Sequence, residues 1–476
     1  MNESKTQLLV IGGGPGGYAA AFLAADLGMQ VTLVNEEADL GGVCLNRGCI
    51  PSKALLHAAK VINEAREAQH IGLSYGEPKI DIDQLRSFKN GVIDNNVGGL
   101  KKLAEMRKVN RIYGRARLLN ATSAEITAAD GGTQRVTFEN CILATGSRPT
   151  VIPAFNLDTP RVMNSTAALE LKDVPKSLLV IGGGYIGLEL GTVYSALGSE
   201  VTVVEMTSGL LPGADRDLVA ILQKRLQTHF KSILLNTKVA KVEDAGDGIK
   251  VLFESEGVEP KEQMFDKVLV SVGRTPNSQD LGLENTNIQV DRRGFVPVNV
   301  QRQSTEPTIW AIGDIAGEPM LAHKASHEGR IAVEAIAGHA VAFEPNAIPA
   351  VIFTDPEIAW CGLTETEAKK QGIPYKVAKF PWGASGRAMT LGRPEGLTKM
   401  ILEPETERVL GIAIAGVGAG ELIAEGVLAI EMAASANDIR LSIHAHPTLS
   451  ETVMESAEVV FGQSTHTFQK APKVLS

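Results

Sequence analysis

The chain has 476 residues, 44 % hydrophobic and 21 % charged, with 48 glycines and a formal charge of −9. That length exceeds one ordinary core and calls for three or four domains, in a composition typical of globular α/β proteins rather than disordered or fibrous ones. An acidic balance without a clustered Lys/Arg run argues against a nucleic-acid surface, and no apolar run approaches the ~20 residues of a membrane span.

Leu8-Leu9-Val10-Ile11 is a short apolar strand with no signal-peptide pattern before it. The chain is therefore expected in the cytoplasm, where four cysteines do not make a structural disulfide framework. The strand runs into Gly12-Gly13-Gly14-Pro15-Gly16-Gly17 and then an alanine-rich helix. Strand, G-x-G-x-x-G and helix form a dinucleotide fingerprint, in which glycines let the backbone approach a pyrophosphate at a helix N-terminus. The next strand, Val31 to Val34, ends in Asn35 with Glu36 beside it, and either side chain can reach a ribose.

Gly41 to Lys53 reads GGVCLNRGCIPSK and carries Cys44 and Cys49. Residues five apart in a regular helix have Cα atoms roughly 8.6 Å apart, whereas a disulfide tolerates about 7 Å. Gly48 supplies backbone freedom and Pro51 discourages a regular ladder, so a bent, accessible, redox-active disulfide is expected. Arg47 between the cysteines favours their thiolates if it points inward. Cys141 and Cys361 have no cysteine nearby in sequence and read as small buried hydrophobes.

From Ala54 to about Glu105 the pattern is helical, with a polar break near Gly72 to Lys79. Strands follow around Arg111 to Tyr113 and Arg135 to Phe138. The apolar run ending in Ala144-Thr145-Gly146-Ser147-Arg148-Pro149 leaves its sheet abruptly, which places a boundary at 150.

The first fingerprint then repeats 170 residues on, as Leu178 to Ile181 followed by Gly182-Gly183-Gly184-Tyr185-Ile186-Gly187. Two dinucleotide-binding units are the economical explanation. Glu205 ends the second strand of the second unit, placed to bind a ribose 2′-hydroxyl and repel a 2′-phosphate, so this unit should prefer NAD to NADP. Gly273-Arg274-Thr275-Pro276-Asn277 repeats the earlier exit, and Ile309 to Asp314 again stops a strand with Gly-Asp. After about Ile348 come strands and amphipathic helices without a nucleotide signature, including a helix over Glu421 to Met432. His446, with Glu451 five residues later, is compatible with an imidazole made more basic by a carboxylate.

The cysteine segment, both fingerprints, Ala144-Thr145-Gly146, Gly273-Arg274 with Pro276-Asn277, Gly313-Asp314 and His446-Pro447-Thr448 with Glu451 together resemble the flavoprotein disulfide reductases, the class I pyridine nucleotide-disulfide oxidoreductases. The likeness covers essentially the whole chain. It implies an α/β fold of two Rossmann-like FAD- and NAD-binding domains plus a C-terminal α+β dimerisation domain. The expected divisions are 1–150 for FAD, 151–278 for NAD, 279–347 as a central segment completing the FAD site, and 348–476 for dimerisation.

By the same resemblance FAD lies on Gly12, Gly14 and Gly17, with Asn35 or Glu36 at its ribose. Gly42, Lys53, Ala116, Thr145, Gly146, Asp314 and Ala322 complete the site. NAD lies on Gly182, Gly184 and Gly187, with Glu205, Val239 and Gly273. Lys53 pairs with Glu189, and Cys44, Cys49, His446 and Glu451 carry the thiol chemistry, the last two delivered to the other subunit of a homodimer. No metal is expected.

Within the family the chain most resembles members that oxidise protein-bound dihydrolipoyl groups with NAD⁺. Its implied partners are the acyltransferase of a 2-oxo-acid dehydrogenase complex or the glycine cleavage H protein, and the lipoyl group is expected to arrive on such another protein. A glutathione-type member would carry Lys at Ser52 and an NADP-binding arginine, a mercuric reductase would end in a cysteine pair, and a transhydrogenase would lack Cys49. A non-catalytic flavin-binding assembly subunit would have no need of Cys44, Cys49 and His446 together.

Overall fold

Leu8, Leu9, Val10 and Ile11 are almost completely buried, which requires a layer covered on both faces. In the computed structural model, which describes residues 2–255, 259, 261–468 and 470–475, they belong to the first of five strands: β1 (Asn2–Ile11), β2 (Val31–Asn35), β3 (Asn110–Asn120), β4 (Ser123–Ala128) and β5 (Thr133–Leu143). β1 is flanked in parallel by β2 and β5, with Leu8 opposite both Val31 and Asn140. β3 extends the parallel sheet beyond β2, then turns through β4 into an antiparallel meander that returns in β5. Strand Ile309–Ala311 pairs with Cys141–Leu143, so a segment far along the chain completes the first sheet.

Helix α1 (Pro15–Asp26) follows the first fingerprint and packs on helix Ala322–Ile336. The contact is nearly backbone to backbone: a Cβ on Gly16 would lie 3.0 Å from the Ala325 carbonyl oxygen, and one on Gly329 2.8 Å from that of Gly16. Small residues thus seat the Gly313–Ala322 segment beside the first glycine loop.

The second unit repeats the plan. Ser177–Ile181 is flanked in parallel by Glu200–Val204 and Lys267–Val270, and helix Tyr185–Leu197 leaves the second glycine loop. Its own antiparallel meander runs through Lys238–Asp244, Ile249–Glu254 and Glu262–Phe265. The two exit motifs meet, Ser147–Pro149 pairing antiparallel with Arg274–Pro276, so the repeats are joined by the strands that end them.

The C-terminal unit is a five-stranded antiparallel sheet in the order Ala350–Ile352, Glu357–Gly362, Val409–Gly416, Leu397–Leu402, Lys376–Pro381. Helices Ala419–Glu431 and Glu451–Val460 pack on it. The mixed α/β architecture is the one the sequence implied. Cys141 and Cys361 are buried, at 0 % and 1 % exposure.

The second and C-terminal units are joined by a buried charge cluster. The fully buried Lys399 ammonium lies 2.6 Å from Asp215, 2.8 Å from Asp217 and 3.0 Å from Glu365. Three carboxylates that could otherwise attract a metal ion thus converge on a lysine. Burial alone would raise the pKa of Asp215 and Asp217, but hydrogen bonds from Lys399 to Asp215 and from Lys379 and Lys399 to Asp217 outweigh it and hold both below the usual range, while Lys399 itself is raised. The stabilisation is therefore complete between about pH 4 and pH 10, lost below as the carboxylates protonate and above as the lysine deprotonates. Lys399→Met, which strands buried carboxylates, is expected to cost about 3–5 kcal/mol at neutral pH. The deficit should shrink below about pH 4 as those acids protonate. Denaturant titration of both proteins at pH 7 and about pH 3 measures it, and an equal deficit at both would assign the loss to packing.

Candidate active site

Cys44 and Cys49 are brought together by a helix break. Helix α2 (Gly42–Arg47) carries Cys44, helix α3 (Cys49–Glu67) starts with Cys49, and Gly48 separates them. A Cβ on Gly48 would lie 2.8 Å from the Val43 carbonyl oxygen, so the tight reversal requires glycine. Pro51 lies in the first turn of α3, where its missing N–H costs nothing, so it helps start the second helix rather than distort a continuous one.

In the structure Cys44 and Cys49 are thiols hydrogen-bonded to one another. Sharing this hydrogen bond splits their acidities. Cys49 accepts from Cys44 and is lowered to about 7, against burial and with help from the Lys53 charge, whereas Cys44 is pushed far up. The position of Cys49 at the positive end of a 19-residue helix favours the same thiolate. Arg47 does not supply the field: it pairs with Glu37.

Lys53, one turn along α3, lies 2.8 Å from Glu189 and 4.3 Å above the Phe353 ring. Glu189, only 5 % exposed, also accepts the Phe353 backbone N–H at 3.0 Å. α3, the helix of the second unit and the first strand region of the C-terminal unit therefore meet beside the thiols. Phe353 carries no local signature and was not foreseen.

The pair opens on a cavity of about 600 Å³ lined by Gly12, Gly14, Asn35, Glu36, Gly42, Lys53, Ala116, Thr145, Gly146, Glu189, Asp314 and Ala322. Gly17 sits behind it, where a Cβ would strike the Gly12 carbonyl oxygen at 1.8 Å. Gly12 has φ +111°, and Gly42 approaches Gly14 so closely that a Cβ would lie 2.7 Å from the Gly14 Cα. Such bare backbone, ending in the N-terminus of α1, suits a dinucleotide diphosphate. Asp314 accepts from Ser147 Oγ at 2.5 Å, and that oxygen accepts from Arg274 Nε at 2.7 Å. The preceding Gly313 N–H donates to Glu328 at 2.6 Å, a fully buried acid also paired with Lys324 and Arg302. This buried brace was missed; the i, i+4 spacing of Lys324 and Glu328 was its one local signal.

The second loop has the same build. Gly182 has φ +106° with its Cβ direction blocked by the Ser271 carbonyl, and a Cβ on Gly187 would lie 2.6 Å from the Gly182 oxygen. Gly184 is open, and Gly273, just before the paired strand Arg274–Pro276, has φ +117°. Glu205 accepts the N–H groups of Gly183 (2.7 Å) and Thr207 (2.8 Å), leaving about two of its four lone-pair sites for a ribose diol. Val239 is 6 % exposed among Val204 and Phe253, so its side chain is core. In the first unit Asn35 takes the place of Glu205: its Oδ1 accepts from Gly13 at 2.9 Å, while its amide group donates to the carbonyls of Glu37 and Asp39. Glu36, paired with Arg115, lines the cavity with its carboxylate exposed.

His446 and Glu451 do not join the cavity of their own chain. His446 Nδ1 lies 2.9 Å from Glu451, whose other oxygen accepts from the Thr448 N–H, and the ring is 73 % exposed. Neighbouring His444 lies between Glu425 and the Ser442 carbonyl, one at each ring nitrogen, and is tied into the fold.

The family model described as pyridine nucleotide-disulphide oxidoreductase matches residues 6–329, and that family's dimerisation domain matches residues 348–457. The chain belongs to the pyridine nucleotide-disulphide oxidoreductases. It is an oxidoreductase whose cofactors are FAD and NAD(H), and the two glycine cradles fit both. Similar members include the dihydrolipoyl dehydrogenases of Vibrio cholerae serotype O1 (50 % identical; 97 % of each chain covered) and Geobacillus stearothermophilus (45 %; 98 % of each). Among solved structures it resembles LpdA from Mycobacterium tuberculosis (TM-score 0.88, 27 % identity, 95 % of this chain and 99 % of that one). It also resembles the HOCl-induced flavoprotein disulfide reductase RclA from Escherichia coli (0.86, 28 %, 97 % and 100 %).

The two cations near the family's redox pair are distinguishable. Lys53→Met should raise the Cys49 pKa above about 7, whereas Arg47→Val should leave it unchanged. Titrating thiolate ultraviolet absorbance in the reduced proteins reads both, and a shift in Arg47→Val equal to that in Lys53→Met would return Arg47 to the site.

Proposed function

We propose that this oxidoreductase oxidises dihydrolipoyl groups carried by other proteins to lipoyl groups, with NAD⁺ as final acceptor, as a cytoplasmic homodimer. The observation that carries the reading is the Cys44–Cys49 pair opening on the glycine-lined cavity, in a chain 50 % identical to a dihydrolipoyl dehydrogenase over 97 % of each length. Residues 1–150 and 279–347 would build the FAD site, 151–278 the NAD site and 348–476 the dimer contact.

Bound FAD supplies two-electron acceptance and hydride donation, with NAD⁺ receiving the hydride. The protein's own residues handle the thiols. With Nδ1 committed to Glu451, Nε2 of His446 takes the proton of a substrate thiol, which at a pKa of ~8.5 is only about 3 % ionised at pH 7. The thiolate attacks the Cys44 sulfur and breaks the Cys44–Cys49 bond, and Cys49 leaves as a thiolate, which its pKa of about 7 favours. The second substrate thiolate attacks the substrate sulfur of the mixed disulfide, closing the lipoyl ring and releasing Cys44, which takes a proton. One dihydrolipoyl group becomes lipoyl as one cystine becomes a dithiol. Lys53, fixed by Glu189, holds positive charge beside Cys49. Because His446 is exposed and outside its own chain's cavity, a second copy of the chain supplies the base. The formal charge of −9 suits docking onto a small basic domain of an acyltransferase, and the glycine cleavage H protein is the other lipoyl carrier.

Glu36 rather than Asn35 holds the FAD ribose in this reading, because both Asn35 amide hydrogens are committed to backbone carbonyls. Glu36→Gln should therefore release FAD several-fold faster, with Asn35→Asp nearly unchanged. Flavin fluorescence on dilution measures this, and the opposite ranking would move the ribose to Asn35. The substrate class is tested by anaerobic titration with dihydrolipoamide followed by NAD⁺. A long-wavelength thiolate–flavin absorption that disappears as NADH forms is expected. Reduction by NADH without any response to dihydrolipoamide would keep the flavoprotein and sink the lipoyl assignment.

A further inference from the structure

Helix Glu451–Val460 carries Glu451, Glu455 and Glu458 at i, i+4 and i+7, an acidic stripe along one face that begins with the partner of His446. Like charges at this spacing repel, and Glu455 is 3 % exposed, so its charge needs a partner. That partner comes from the chain beyond the helix: His466 Nδ1 pairs with one Glu455 oxygen, and Ser464 Oγ donates to the other at 2.6 Å. Burial and the Glu455 charge raise Glu458, which receives the Thr465 N–H and feels Arg440 from helix Ala436–Leu441. The strands packed against the stripe commit their lysines elsewhere, Lys376 to Glu407 and both Lys379 and Lys399 to Asp217 and Glu365. His446, His466 and Arg440 are thus the basic side chains facing the three acids among the described residues.

We propose that His466 is a positioning residue for the His446–Glu451 base: its imidazolium, seated on Glu455, cancels the second carboxylate of the stripe, so that His446 is set by Glu451 alone. The Glu455 carboxylate favours the imidazolium and raises the His466 pKa above its ordinary value. Removing the cation while keeping Glu455 adds an uncompensated negative charge one helical turn from Glu451 and makes His446 more basic. Its acid limb then moves to higher pH.

The inference rests on His446 being the base, and the two stand or fall by different readings. Loss of dihydrolipoamide oxidation in His446→Gln tests the base, and titration of the His446 imidazole by NMR in the FAD-loaded, full-length protein tests the coupling. His466→Asn should raise the His446 midpoint by roughly 0.3 to 1 pH and move the acid limb of the rate profile with it. Glu455→Gln together with His466→Asn should restore the native midpoint, as should His466→Lys, which keeps the cation and the fold. An unchanged midpoint in His466→Asn, or a double variant shifted as far as the single one, overturns the proposal.

Discussion

Cys44 and Cys49 can meet only because the chain changes direction between them. A single helix would hold them too far apart; two helices separated at Gly48 place one cysteine late in a short helix and the other first in a long one. The same break sets their chemistry. Cys49 gains the helix N-terminus, the Cys44 hydrogen bond and the Lys53 charge, while Cys44 is held protonated. Distinct roles for two identical side chains thus follow from where the helix is interrupted.

Lys53 carries that local asymmetry outward. Glu189 belongs to the second unit and Phe353 to the C-terminal unit, and both fix the lysine that faces the thiols. Any relative movement of the units would therefore change the field at Cys49. The Lys399 cluster opposes such movement between the second and C-terminal units, and the paired exit strands oppose it between the first two. The glycine loops, by contrast, need only backbone shape, which the repeated strand–loop–helix provides twice.

Much of this was legible in the chain because it is local and periodic. The fingerprints, exit motifs and cysteine spacing each constrain a few consecutive residues, and the repeat fixed their alignment. The position of the helix break was half legible: Gly48 was the right residue, but Pro51 starts a helix instead of disturbing one. Arg47 was read by its proximity in sequence, yet its long side chain turns to Glu37. Phe353 and Lys399 were invisible because their partners lie on other elements, and of the Glu328 brace only the i, i+4 spacing to Lys324 showed, because no single-sequence pattern reports a tertiary contact.

The two acid positions show why a repeat is informative where it diverges. Glu205 and Asn35 end corresponding strands, and both accept the N–H of the middle glycine in their own loop, Gly183 and Gly13. The shared task of this side chain is therefore to brace the glycine loop, for which an amide oxygen serves as well as a carboxylate. Ribose recognition is a second task that needs spare acceptor capacity. Glu205 retains it on two carboxylate oxygens, whereas Asn35 has a single acceptor oxygen, already taken by Gly13, and donates both amide hydrogens to the carbonyls of Glu37 and Asp39. Substituting asparagine thus preserves the loop, and in the proposed reading the ribose falls to the next residue, an acid already facing the cavity.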